Sequence, residues 1–180
     1  TDVIKLEPPE GDQSRYRGPY GGEFDINASG LFVSLNFNKR SVSIDLSTDS
    51  GMDRLHSLLG DADLLIHDLA PNLADSLGLE ELSLRTRYPS MVTCSVTPFG
   101  RSGPYSGYEA EDLQVMHGGG WGWLTPGGSD RPELPPLKPH GQQAGFQIGF
   151  AAATVALAAV DKAQRTGTGE HIDFAGMSYI

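Results

Sequence analysis

Between residues 40 and 96 the chain alternates short apolar runs with helix-period stretches, and that rhythm narrows its fold more than any other feature. Val42, Ile44 and Leu46 alternate with Ser43 and Asp45, as on a half-buried strand. Ser47, Thr48 and Asp49 then offer caps for a helix through Leu59, with Met52, Leu55, Leu58 and Leu59 on one face and Gly60 as its stop. The run Leu64-Leu65-Ile66 ending in His67 has the pattern of a parallel strand buried on both faces. Residues 79–88 read as a second helix broken at Pro89, and residues 91–96 as another buried strand. The sum predicts an α/β protein with a doubly wound, mainly parallel sheet in three layers. Ligands of such sheets lie beyond the carboxyl ends of the strands. Here those ends are Leu46-Ser47, His67-Asp68-Leu69 and Val96-Thr97-Pro98-Phe99.

Outside this stretch, residues 3–6 read as a short strand closed by Pro8-Pro9, and a polar, Gly-rich loop runs to about residue 30. Residues 31–35 are a strand candidate. Residues 99–139 are mostly turns, 143–165 form the long helix, and 170–174 a last strand. Net charge is −10, which argues against general nucleic-acid binding and against anionic membranes, yet leaves room for a small anionic ligand where cations gather. Lys39 and Arg40, at the mouth of a strand, are such a place; a solvated basic turn is the plainer reading of the same pair. One cysteine excludes an internal disulfide framework and fits a reducing cytosol. Cys94 lies in an apolar run and reads as buried and inert. The apolar stretch at residues 148–160 is too short to span a bilayer and reads as a buried core helix. Both ends of the chain look cut, which predicts a piece of a longer protein.

Several chemistries lack their signatures. There is no Walker loop, no G-x-G-x-x-G after a strand and no G-x-S-x-G elbow. The five histidines are too dispersed for a metal site.

Taken in order, the motifs resemble the class III CoA-transferase family, which also holds the carnitine dehydratases, formyl-CoA transferases and α-methylacyl-CoA racemases. They are Val3-Ile4-Lys5-Leu6-Glu7-Pro8-Pro9, Asn38-Lys39-Arg40-Ser41-Val42 with Asp45-Leu46, the run from Ala62 to Pro71, Leu77-Gly78-Leu79, Thr97-Pro98-Phe99-Gly100 with Gly103-Pro104-Tyr105, and the long helix closed by Thr166-Gly167-Thr168-Gly169-Glu170. The resemblance implies a Rossmann-like large domain that binds CoA, with a first strand and helix upstream of Thr1 and a small domain downstream of Ile180. It also implies an interlocked dimer, acyl-CoA and a carboxylic acid as partners and substrates, no permanently bound cofactor, and a cytoplasmic location. In the family an Asp carboxylate attacks the thioester and passes CoA on through covalent intermediates, a task that suits a group which is both nucleophile and leaving group.

At that position this chain has Gly145, and no Asp or Glu lies between Glu133 and Asp161. Glu109 and His140 are the nearest substitutes. For CoA contacts the resemblance points to Lys39, Arg40, Ile44 as the adenine platform, Asp68 and Leu69 where the family has Asn-Phe, and Tyr108. A family Arg becomes Ser76, and an Asp beside phosphates repels them. The His of the racemases is replaced by Tyr108, which disfavours racemase chemistry, since that needs two acid/base groups around one carbon. Three readings follow: a CoA-transferase with a displaced nucleophile, a non-catalytic subunit or half-domain that partners an active copy, and an unrelated α/β binding domain. The loop at residues 121–128 is the candidate acyl-side wall, with packing of its two Trp as the alternative.

Overall fold

The computed structural model describes residues 1–124, 133–135 and 137–180. They form two compact units, Thr1–Gly60 and Asp61–Ile180, each built on a parallel sheet.

In the first unit β1 (Ile4–Glu7) pairs in parallel with β2 (Arg40–Ser43), from Ile4 opposite Arg40 to Glu7 opposite Ser43. Asn38, with φ of 64°, makes the turn into β2. The strand expected to reach Leu46 ends at Ser43, although Ile44 N–H still bonds the Glu7 carbonyl at 2.9 Å. Glu7 is the keystone of the unit. It is 3% exposed, and its carboxylate accepts from Arg15 Nε at 2.6 Å, Arg15 Nη2 at 3.0 Å, Ser41 Oγ at 2.7 Å and the Asp12 N–H at 3.1 Å. A buried carboxylate persists only when so satisfied. The Arg15 hydrogen bonds, against the opposing effect of burial, hold Glu7 at a pKa of about 2. Burial works to raise Asp12 as well, but bonds from Lys5 and Ser14 win and hold it at about 2.

The expected strand at 31–35 is instead the helix α1 (Gly30–Asn36). The cause is Ser29, which is fully buried: its hydroxyl donates to the Ser14 and Arg17 carbonyls and accepts from Phe32 N–H at 3.1 Å, so the chain is capped into a helix. Phe32 then lies under the Arg15 guanidinium, 3.7 Å from carbon to ring centre. Helix α2 (Asp49–Leu59) follows as expected, with Thr48 Oγ1 accepting from Gly51 N–H at 3.1 Å and Leu55 and Leu59 buried.

In the second unit β3 (Leu64–His67), β4 (Val92–Thr97) and β5 (His171–Ala175) form one parallel sheet in that order. Between β3 and β4 lie α3 (Pro71–Ser76), opened by Pro71 in its first turn, and α4 (Glu81–Arg87). The helix expected at 79–88 is thus shorter at its start, because Gly78, with φ of 67°, turns the chain before it. The turn-rich stretch after β4 also holds two short helices, α5 (Asp112–Gly118) and α6 (Trp121–Leu124). The start of α5 carries a capping box in which Glu111 N–H donates to Gln114 Oε1 at 3.0 Å.

The long helix α7 (Gln143–Thr166) lays a stripe of small residues on the sheet. Ala152 and Ala156 pack at Cys94, and Ala159 and Ala163 at Val92, with Leu64 and Ile172 beside them. Their spacing is one helix face. By length and composition α7 is apolar enough to cross a membrane, but here its alanine face forms a core layer. Gly167, with φ of 73°, ends it, and a Cβ on Gly169 would stand 2.0 Å from the Met91 carbonyl oxygen, so only glycine lets the chain re-enter the sheet there. The last helix, α8 (Gly176–Tyr179), follows β5. Cys94 is fully buried, and burial pushes its thiol up to about 11.

Candidate functional site

The face of the second sheet opposite α7 is polar. The register sets His67 opposite Ser95, Thr93 opposite His171 and Ser95 opposite Asp173, and paired residues of a parallel sheet share a face. His171 bridges two β4 hydroxyls, with Nδ1 2.7 Å from Thr93 Oγ1 and Nε2 3.2 Å from Ser95 Oγ. Among the described residues neither ring nitrogen of His67 has a hydrogen-bond partner, and both are buried. Burial, aided by Arg101 and His171 and opposed by Asp68, pulls His67 down to about 4, so the ring is neutral at pH 7. Burial lowers His171 as well.

Arg101 gathers the loop beyond β4. Its N–H donates to both carboxylate oxygens of Asp173, at 3.1 and 3.0 Å, and its Nη2 pairs with Asp75 of α3 at 2.5 Å. The backbone turns around it through Gly100 and Gly103, with φ of 82° and 91°. From this turn Phe99, Tyr105 and Tyr108 run as a ladder of tilted rings, with centroid separations of 5.9 and 5.6 Å.

The second focus is the start of α7. Val115 and Met116 of α5 pack with Ala144 of α7, and Ala110, Trp121, Ile148, Met177 and Ile180 close around them. Gly145 follows Ala144 and is exposed, and a Cβ placed on it would meet nothing within 4 Å. Its N–H donates to Asp112 Oδ1 at 3.1 Å. Asp112 is only 12% exposed, and its Oδ2 lies 3.0 Å from Lys138 Nζ. Lys138 also donates to the Pro139 and Gly141 carbonyls. Sequence reasoning missed Asp112 because it lies 33 residues from Gly145; the capping-box pattern at Glu111 and Gln114 was the available signal for its helix.

The remaining site residues disperse. Glu109 and His140 are exposed. Asp68 is exposed just past β3, and Leu69 is half-buried. In the first unit Arg40 pairs with Asp2 through Nε and Nη2, at 3.2 and 2.5 Å. Lys39 Nζ donates to Asn36 Oδ1 at 3.0 Å, and desolvation with Lys5 nearby lowers its pKa. Ile44 is 2% exposed, so its side chain packs inward, whereas Lys39 and Arg40 are among the exposed residues of that segment. Of the proposed acyl-side wall, residues 121–124 form α6 and residues 125–128 lie outside the described residues. Among the described residues no three of His, Cys, Asp or Glu converge as metal ligands would.

The sequence model of CoA-transferase family III matches residues 1–179. The chain belongs to that family. The chain is 35% identical over 177 residues to the succinyl-CoA:(R)-benzylsuccinate CoA-transferase subunit BbsE of Thauera aromatica, covering 97% of itself and 42% of that protein. Its identity to the succinate–glutarate CoA-transferase of Agrobacterium fabrum is 32% over 179 residues, 97% of this chain and 44% of the relative. A crystal structure of a CAIB/BAIF family protein from Brucella suis superposes with a TM-score of 0.85 at 32% identity, over 99% of this chain and 47% of the other. The chain therefore spans under half the length of these family III relatives. Membership sets aside the unrelated α/β binding domain. It also gives the two parallel sheets and the alanine-faced helix their context as a family III α/β fold.

Proposed function

We propose that this protein serves the transfer of CoA between an acyl-CoA and a carboxylic acid, and that this chain is the partner which supplies no covalent nucleophile. The observation that carries the proposal is Gly145. A Cβ at that place would have open space, yet the residue has no side chain. The nearest carboxylate, Asp112, is held by the Gly145 N–H and by Lys138. An anion held in that way is a poor nucleophile, because acylation would have to break both contacts first. Glu109 and His140 stand in the open, and neither has a neighbour that would activate it among the interactions described. In the first unit Lys39 and Arg40 are the candidate contacts for the phosphates of CoA, and in the second unit, taken by itself, Asp68, Leu69 and Tyr108 are the candidate CoA contacts. The covalent step then belongs to a second copy or half-domain that carries the Asp, in a cytoplasmic assembly.

The test is chemical trapping. Acyl-CoA is added to the intact protein with hydroxylamine or borohydride, and the modified residue is located by peptide mass spectrometry. Label is expected on a partner chain or second domain and absent from residues 100–150 of this one. A label on Asp112, Glu109 or His140 would establish the opposite reading, a transferase with a displaced nucleophile. The relatives' names speak of succinyl-CoA, benzylsuccinate and glutarate. They support acyl-CoA and carboxylate substrates here only as a class.

A further inference from the structure

The ring ladder of Phe99, Tyr105 and Tyr108 is not needed to hold the fold. Tyr105 is 52% and Tyr108 63% exposed, so both rings present faces to water. The turn that carries them is nevertheless held by hydrogen bonds. Tyr108 N–H donates to the Tyr105 carbonyl at 2.9 Å, and Ser106 bonds the Gly103 carbonyl through both its N–H and its hydroxyl. Gly103 has open space around a would-be Cβ, so its glycine serves the φ of 91° that aims the turn, and not a packing contact. Ordered rings that hold their spacing without burial make a preformed surface for another flat or apolar group.

Position and charge say which group. The ladder starts at the carboxyl end of β4, where ligands of parallel sheets lie. It ends at Tyr108, two residues before Ala110, which packs in the same cluster as Ala144 beside Gly145. Arg101 pairs through Nη2 with Asp75, and Lys138 Nζ lies 3.0 Å from Asp112 Oδ2. The net charge of −10 opposes a short dianionic acyl group. We infer that the ladder seats an aromatic or extended apolar acyl group, and that it selects against small charged ones. This rests on the acyl-CoA reading above and adds the class of acyl group to it.

Calorimetry on the intact protein with benzoyl-CoA, succinyl-CoA and CoA itself tests the inference. Benzoyl-CoA is expected to bind about tenfold tighter than succinyl-CoA, a difference on the scale of one or two ring contacts. Tyr105→Ala is expected to bring that ratio close to one, and Tyr105→Phe to restore it. Equal binding of both thioesters by the unaltered protein, or a ratio untouched by Tyr105→Ala, overturns the ladder as an acyl seat while leaving the acyl-CoA reading intact. A Tyr105→Ala variant whose sedimentation changes but whose ratio does not would show that the rings pack against another chain, which also overturns it. Failure of all three compounds to bind removes the acyl-CoA reading itself, and the inference with it.

Discussion

Acidification from pH 7 to pH 4.5 should weaken the second unit chiefly through His67. The ring is buried, lacks a hydrogen-bond partner among the described residues and faces Arg101, so the folded state binds its proton only near pH 4, against 6.5 for a free imidazole. Well above pH 6.5 the ring is neutral in both states and stability is at its full value. As pH falls through this window the unfolded chain takes up a proton that the folded one refuses, and stability is lost until the folded ring titrates. The gap between 6.5 and about 4 corresponds to about 3 kcal/mol, most of it gone by pH 4.5. His171, lowered for the same reason, adds to the loss. Glu7 and Asp12 do not blur the measurement, because their pKa values fall from 4.5 and 3.8 to about 2, and their contributions disappear only below the window. Both tryptophans, Trp121 and Trp123, lie in the unit that holds His67. Urea unfolding followed by their fluorescence at pH 7, 6, 5 and 4.5 therefore reads the right part of the chain. His67→Gln keeps a polar side chain of similar length that cannot protonate, and it should flatten the pH dependence by about 2 to 3 kcal/mol. An unchanged pH slope in His67→Gln would refute the reasoning.

Other consequences can be measured independently. Glu7→Gln removes the charge that Arg15 and Ser41 surround and should destabilise the first unit by about 3 kcal/mol, seen as a lower urea midpoint by far-ultraviolet circular dichroism. Gly169→Ala must move a backbone oxygen that lies 2.0 Å from the new Cβ, and it should cost about 3 kcal/mol in thermal or chemical denaturation. Cys94, buried and with its thiol raised to about 11, should resist a thiol reagent such as DTNB at pH 8 in the native protein and react fully in denaturant. The Cβ that Gly145→Asp introduces meets no atom within 4 Å, and the substitution should change stability by less than about 1 kcal/mol, so any gain of covalent label it brings reports chemistry and not refolding.

Sequence patterns were most legible where one physical rule acted alone. The β3 and β4 runs are apolar because α7 covers one of their faces, and the alanine spacing of α7 reports that contact directly. Residues 31–35 misled because five residues of mixed apolar character fit a strand or a helix equally. Ser29 decided between them through bonds to Ser14 and Arg17, which no local window contains. The positions that the resemblance points to for CoA rest on motifs, but a motif does not state burial, and Ile44 is a core residue. At the second focus Gly145 was located from the resemblance to the family, at the position of its Asp. Asp112 was not, because the bond that brings it there spans 33 residues and leaves no periodic trace.

That bond also orders events in time. The residue preceding α7, Gln142, makes no side-chain cap, so the helix depends on Asp112 to satisfy an amide of its first turn. The first turn of the longest helix is therefore finished only when α5 docks, and the amide of Gly145 should exchange with solvent at the rate at which α5 comes away. A stretch of chain far upstream thus acts as the latch on the nucleation end of α7. Exchange at Gly145 that stayed unchanged in Asp112→Ala would show that the latch is not needed.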